Sequence, residues 1–140
     1  MNPGDQLNDE APLGFTGDDQ PFWDGAKEGR LTFQQCDDCR FVRWPAAGVC
    51  PECLSREATW REFAGTGSVW SHVVYHRAYA ARLKPDVPYR VVLVQLDCGV
   101  RLLSRILDVD TPVAVGDRLE VRYVDVGDAG QVPVFVPVTR

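Results

Sequence analysis

Four of this chain's five cysteines stand between positions 36 and 53, in CDDCRFVRWPAAGVCPEC, as two CxxC pairs spaced C-x2-C-x10-C-x2-C. Nothing else in the sequence restricts the backbone as much. A CxxC turn brings two sulfurs about one metal edge apart, and two such turns at the ends of a hairpin close a tetrahedral four-sulfur site. Thiolate softness and that geometry favour zinc, with iron second. Two redox pairs or two disulfides are the competing readings. The first wants a βαβ context, which is lacking, and the second an oxidising compartment. With Cys36, Cys39, Cys50 and Cys53 all as ligands, no position is left open for water. One Zn2+ is therefore expected as a structural staple and not as a hydrolytic centre. Glycine often follows the second cysteine of such a knuckle because φ is positive there; here the residues are Arg40 and Leu54.

The chain has 140 residues, 45% of them hydrophobic, enough for a core without disulfides. No run approaches the roughly 20 apolar residues of a membrane span. The first residues, MNPGDQLNDEAPLG, lack the basic and apolar regions of a secretory signal, and a cytoplasmic location is expected. Charge is unevenly spread. Residues 1–28 hold seven acids against Lys27 alone, about −6, while the rest carries about +1. Residues 1–18 read as a flexible acidic leader. Net acidity argues against bulk nucleic-acid binding, which rests on phosphate neutralisation.

After the leader, DDQPFWDGAKEGRL predicts a short helix over about 20–28. Asp18 or Asp19 would cap it, Pro21 would sit in its first turn and Gly29 would end it, with Gly25 a weak point. LTFQQC and EATWREFA read as strands flanking the cysteine pairs, with FVRWP as a link. From Gly65 onward the pattern is all β. GSVWSHVVYH is a long strand, YRVVLVQL and VRLLSRIL are strands split by a DCG turn, and RLEVRYVDV and QVPVFVPV follow. The prolines place the last strand at an edge or at bulges. Five strands of this kind suggest a small closed or partly open OB-type barrel over 65–140, with a β-sandwich fragment as the alternative. The helix and the cysteine-bearing hairpins occupy 19–64.

Other candidates for chemistry are few. Cys98 has no histidine or acid placed to activate it and reads as a turn-flanking residue. His72 and His76 on one strand lie about 13 Å apart at ~3.3 Å per residue, too far for a shared metal. His76 opens a loop that also carries Arg77, Tyr79, Arg82 and Lys84. No phosphate loop, dinucleotide fingerprint or nucleophile elbow is present. Phe22, Trp23, Trp44, Trp60 and Trp70 are many large rings for so small a protein. Some would pack between ribbon and barrel, and some would face a partner.

Taken in order, PFWDGAKEGRL, CDDC, CPEC, GTGSVWSHVVYHRA, PYRVVLVQLDCGVRLLSRI and VGDRLEV resemble the DUF35 family over about residues 19–138. The resemblance implies a mostly β protein with an N-terminal helix, a rubredoxin-like zinc ribbon and a C-terminal five-stranded OB-fold barrel. It implies an accessory subunit without catalytic residues of its own. The partner would be a thiolase-superfamily, lipid-transfer-protein-like retro-aldolase of steroid side-chain degradation. Related settings are MaoC-like enoyl-CoA hydratases, acetoacetyl-CoA and HMG-CoA synthesis, and acylation of phenolic rings. Acyl-CoA would sit at the interface, with Phe22, Trp23, His76, Arg77, Tyr79 and Arg82 facing it or the partner. A single-stranded nucleic-acid module is the competing class, since ribbons and OB barrels both serve it.

Overall fold

The structure, a computed structural model, describes residues 17–127 and 130–138. The expected leader lies outside the described residues up to residue 16. A 3-10 turn at Gly17–Asp19 leads into α1, Gln20–Lys27. Pro21 takes the first turn, where its missing N–H costs nothing. Gly29, at φ 74°, accommodates the exit. Asp19 stands at the N-cap without capping; its Oδ1 accepts from the Ala46 N–H at 3.1 Å instead. Gly25 has a packing reason to be there. A Cβ would lie 2.9 Å from Thr32 Oγ1 and 3.0 Å from Arg30 O, so helix propensity is given up for close approach to the next strand.

That strand, β1 (Leu31–Cys36), is the centre of a three-stranded antiparallel sheet, flanked by β2 (Val42–Arg43) and β3 (Ala58–Phe63). β2 lies in the FVRWP stretch read above as a link; two residues are too few to show alternation. Its Arg43 is buried, donating from Nε to Gln34 Oε1 and from NH2 to Ala47 O, each at 2.8 Å.

The second sheet has five strands, with Tyr89–Leu96 between Arg101–Ile106 and Thr66–Tyr75, and Arg118–Asp125 between Thr66–Tyr75 and Gln131–Pro137. Its strands are β4 (Thr66–Tyr75), β5 (Tyr89–Leu96), β6 (Arg101–Ile106), β7 (Arg118–Asp125) and β8 (Gln131–Pro137). All pairings are antiparallel. Thr66, Gly67 and Ser68 of the ten-residue β4 border β7. There Gly67 passes so close to β5 that a Cβ would lie 2.5 Å from Gln95 O. The sheet curls until its edges approach, Ser104 Oγ of β6 donating to Pro133 O of β8 at 2.8 Å. No ladder joins them among the described residues. Prolines cannot donate backbone bonds, and β8 carries two. The OB-type barrel is thus the partly open form.

Alternation sets the core. Val92, Val94 and Leu96 of β5, Leu102 and Ile106 of β6, Leu119 of β7 and Phe135 of β8 point inward. Phe22, Leu31 and Phe33 join the same cluster, so ribbon and barrel share one apolar core.

Candidate functional site

The two cysteine pairs fold as near copies. In the first knuckle Cys36 N donates to Phe41 O at 2.8 Å and Arg40 N to Cys36 O at 3.0 Å. In the second, Cys50 N donates to Ser55 O at 2.8 Å and Leu54 N to Cys50 O at 2.9 Å. Closing each turn this way requires a left-handed residue after the second cysteine. Arg40 (φ 70°) and Leu54 (φ 66°) are the two non-glycine residues with positive φ among those described. The knuckle geometry therefore survives without the glycine, at a backbone cost.

The knuckles bring Cys36, Cys39, Cys50 and Cys53 together, all four sulfurs within 4.8 Å of one another. Cys36 Sγ lies 3.5 Å from Cys53 Sγ, and Cys39 Sγ 3.6 Å from Cys50 Sγ. A tetrahedron with Zn–S bonds of about 2.3 Å has edges of about 3.8 Å, so the set matches zinc and is far too wide for disulfides, near 2.05 Å. By themselves the thiols conflict. The Cys39 N–H draws Cys36 down to about 6. At Cys53 the Ser55 N–H pulls the same way, but burial and the neighbouring sulfurs outweigh it and push the thiol up to about 12. A divalent cation resolves that conflict by holding all four as thiolates. Four thiolates fill its shell, so the centre is one structural zinc, supplying folding energy and no exchangeable water.

Beside the centre lies an aromatic cluster. Phe22 packs on Trp44 with centroids 4.1 Å apart, on Trp23 at 4.9 Å edge-on, and on Phe33 at 5.8 Å. Phe22, expected to face a partner or acyl-CoA, is instead a core residue at 2% exposure. It lies on the inward side of α1 with Ala26 and is covered by Trp44. Trp23 stays half-buried beside it. Trp60 also packs against the core.

The β4–β5 loop places His76, Arg77, Tyr79 and Arg82 at the surface. The Arg77 guanidinium lies 5.7 Å from the Tyr79 ring, Tyr79 meets Tyr75 edge-on at 5.8 Å, and Tyr75 stacks on Tyr89 at 5.3 Å. Arg105 closes the row, 4.9 Å from Tyr89, and pairs with Asp86 at 3.2 Å. The row was only half visible beforehand, because Tyr89 and Arg105 come from other strands. Cys98 is half-buried, and burial, then the Asp97 carboxylate, push its thiol up, away from nucleophilic reactivity. Among the described residues, His72 and His76 join no metal-binding group.

A zinc ribbon fused through a shared core to a partly open OB sheet defines the class: a ribbon–OB protein with a closed metal centre. Known proteins narrow this. Residues 23–58 match the model of the ChsH2 rubredoxin-like zinc ribbon domain, and residues 60–124 that of the ChsH2 C-terminal OB-fold domain. A DUF35 domain-containing scaffold protein of Methanothermobacter thermautotrophicus is 33% identical over 103 residues, covering 72% of this chain and 77% of that protein. The chain belongs to the DUF35 family. A probable enoyl-CoA hydratase alpha subunit of Thermomonospora curvata is 32% identical, over 85% of this chain and 37% of its own length. The 3-oxo-4,17-pregnadiene-20-carboxyl-CoA hydratase alpha subunit of Mycobacterium tuberculosis is also 32% identical, over 76% and 34%. The chain thus spans about a third of those two subunits. Among solved structures, a chain of the Ltp2-ChsH2(DUF35) aldolase superposes with a TM-score of 0.81 and 29% identity, covering 91% of this chain and 100% of that one. No helix among the described residues is long and apolar enough to cross a membrane.

Proposed function

We propose that this chain is a non-catalytic accessory subunit of an acyl-CoA-processing enzyme. Its partner in this reading is a thiolase-superfamily, lipid-transfer-protein-like retro-aldolase acting in steroid side-chain degradation. One observation carries most of the weight: the likeness to the Ltp2-ChsH2(DUF35) aldolase chain spans all of that chain. The chemistry of the site agrees, since a closed four-thiolate centre can staple a fold but offers no open coordination position. In this reading the zinc ribbon holds α1 and Trp23 rigid, and the carbon–carbon bond is cleaved on the partner. The exposed loop with His76, Arg77, Tyr79 and Arg82 borders the passage taken by the acyl-CoA, whose phosphates suit the arginines.

The hydratase alpha subunits favour a second reading, in which the partner is a MaoC-like enoyl-CoA hydratase. Co-expression separates the two. The chain is expected to co-purify with the thiolase-like subunit of its own organism and to raise its aldol-cleavage rate. Independent migration of the two chains, with the enzyme fully active alone, overturns the proposal. Co-purification with the hydratase only selects the second reading.

A further inference from the structure

The OB sheet has a second face that the shared core does not use. Along β5 and β6 the inward residues alternate with Val91, Leu93 and Leu103, which point outward. Register places Ser71, Leu93 and Leu103 side by side across three strands, with Val73, Val91 and Arg105 as the next row. Val73 is 52% and Leu103 68% exposed. A register shift between Val69 and Ser71 leaves Trp70 as the extra residue of β4. Such bulges re-aim a side chain, and this one sends Trp70 outward, 49% exposed. The Arg101 guanidinium of β6 lies 3.8 Å from its ring centroid. Apolar side chains with a tryptophan and arginines at their border have the make-up of a protein interface core.

We propose that this outer face of β4–β5–β6 is where the catalytic subunit docks, presenting an apolar centre bordered by carboxylates. This deepens the accessory-subunit reading and rests on it. Charge identifies the occupant. None of the outward positions 71, 73, 75, 89, 91, 93, 95, 101, 103 and 105 carries a carboxylate, in a chain whose net charge is −5. Of the two arginines on this face, Arg105 already pairs with Asp86 at 3.2 Å, whereas Arg101 has no carboxylate partner among the described residues and is held by Gln95 Oε1 at 2.8 Å and by the Trp70 ring. A second copy would offer Arg101 no unpaired carboxylate from this face, because a two-fold interface sets one patch against itself and the Asp86 at its edge is taken by Arg105. At the centre of the face single-stranded nucleic acid would meet Val73, Val91, Leu93 and Leu103 where successive bases need aromatic platforms, and the rings at its ends are already engaged, Trp70 by Arg101 and Tyr75 by Tyr89. A protein surface with an apolar centre and a carboxylate opposite Arg101 satisfies both the aliphatic side chains and the remaining cation.

The test uses the full chain co-expressed with the thiolase-like aldolase subunit of the same organism, with Leu103→Asp and Arg101→Glu as variants. Both positions are exposed, and unchanged zinc content and melting midpoint verify the fold. Leu103→Asp is expected to weaken the complex ~30-fold or more, and Arg101→Glu ~10-fold, with more at low salt. Variants that bind like wild type while wild type forms the complex overturn the docking face and leave the accessory role standing. Wild type failing to bind overturns both. Binding of a single-stranded oligo-dT that Leu103→Asp abolishes also overturns the proposal, in favour of nucleic acid.

Discussion

The two halves of this molecule hold their shape by different means. The ribbon has a three-stranded sheet whose edge strand β2 is two residues long. Among the described residues, its buried side chains beyond the aromatics, Leu31 and Arg43 are small, and two of them, Cys36 and Cys50, are metal ligands. The OB half carries Val92, Val94, Leu96, Leu102, Ile106, Leu119 and Phe135 in an aliphatic core that needs no ion. The ribbon is thus ordered by coordination and the barrel by burial. Binding free energy of a structural zinc is folding free energy, on the order of 10 kcal/mol in small zinc modules. Removing the metal with a chelator, or replacing Cys36 with Ser, is expected to have the largest effect of any perturbation here. Amides of β1 to β3 should lose exchange protection while those of β5 and β6 keep theirs. Simultaneous loss in both halves would erase the distinction.

The halves meet at Phe22, and truncating it probes how far they are independent. Phe22→Ala removes a fully buried ring packed on Trp44, Trp23 and Phe33, at a cost of about 3–5 kcal/mol. The four sulfurs are carried by knuckles elsewhere, so zinc stoichiometry should stay at one per chain while the melting midpoint falls. A loss of zinc with the ring would show that coordination and burial are one cooperative unit.

A smaller effect belongs to the barrel alone. Arg118 grips Asp97 through two hydrogen bonds of 2.9 and 2.7 Å, and Thr66 Oγ1 adds a third at 2.8 Å. Arg118 first, then Thr66, draws the Asp97 carboxyl down to about 2. A depressed folded-state value means stability that is present above the unfolded value near 3.8 and lost as pH falls through about 2. Both side chains are about half exposed, so screening limits the contribution to under about 1 kcal/mol. Denaturant melts between pH 5 and about 2 should show this slope, and Arg118→Met should flatten it.

The same contrast governs what could be read in advance. Ligand spacing is a local signal, so the knuckles were legible as a four-sulfur site, and period-two alternation revealed β4 to β8. Three features were not legible. β2 is too short to show a period. Phe22 belongs to the core because of Trp44, which lies 22 positions away. Trp70 faces out because of a bulge, which depends on the partner strand's register. The outer face did leave one trace: RVVLVQL is apolar in both phases, as in strands covered on both sides, whereas a strand with one solvated face alternates with polar residues.

The finest distinction lies within the zinc centre, between what the metal demands of the backbone and what the side chains give. Both knuckles force a left-handed residue after their second cysteine, and neither supplies glycine. Leu54 is 76% exposed, so its side chain contributes little burial to offset its φ of 66°. Left-handed backbone costs an ordinary residue roughly 1–2 kcal/mol, and glycine gives back about 0.5–1 kcal/mol through its freer unfolded state. Leu54→Gly is therefore expected to stabilise the zinc-bound protein by up to about 1 kcal/mol, raising its melting midpoint and slowing zinc loss to a chelator. The gain should vanish once the metal is stripped, because the strain exists only while coordination holds the knuckle closed. A destabilised variant would mean that Leu54 packs against something in the folded chain, and the ribbon would then owe part of its order to burial after all.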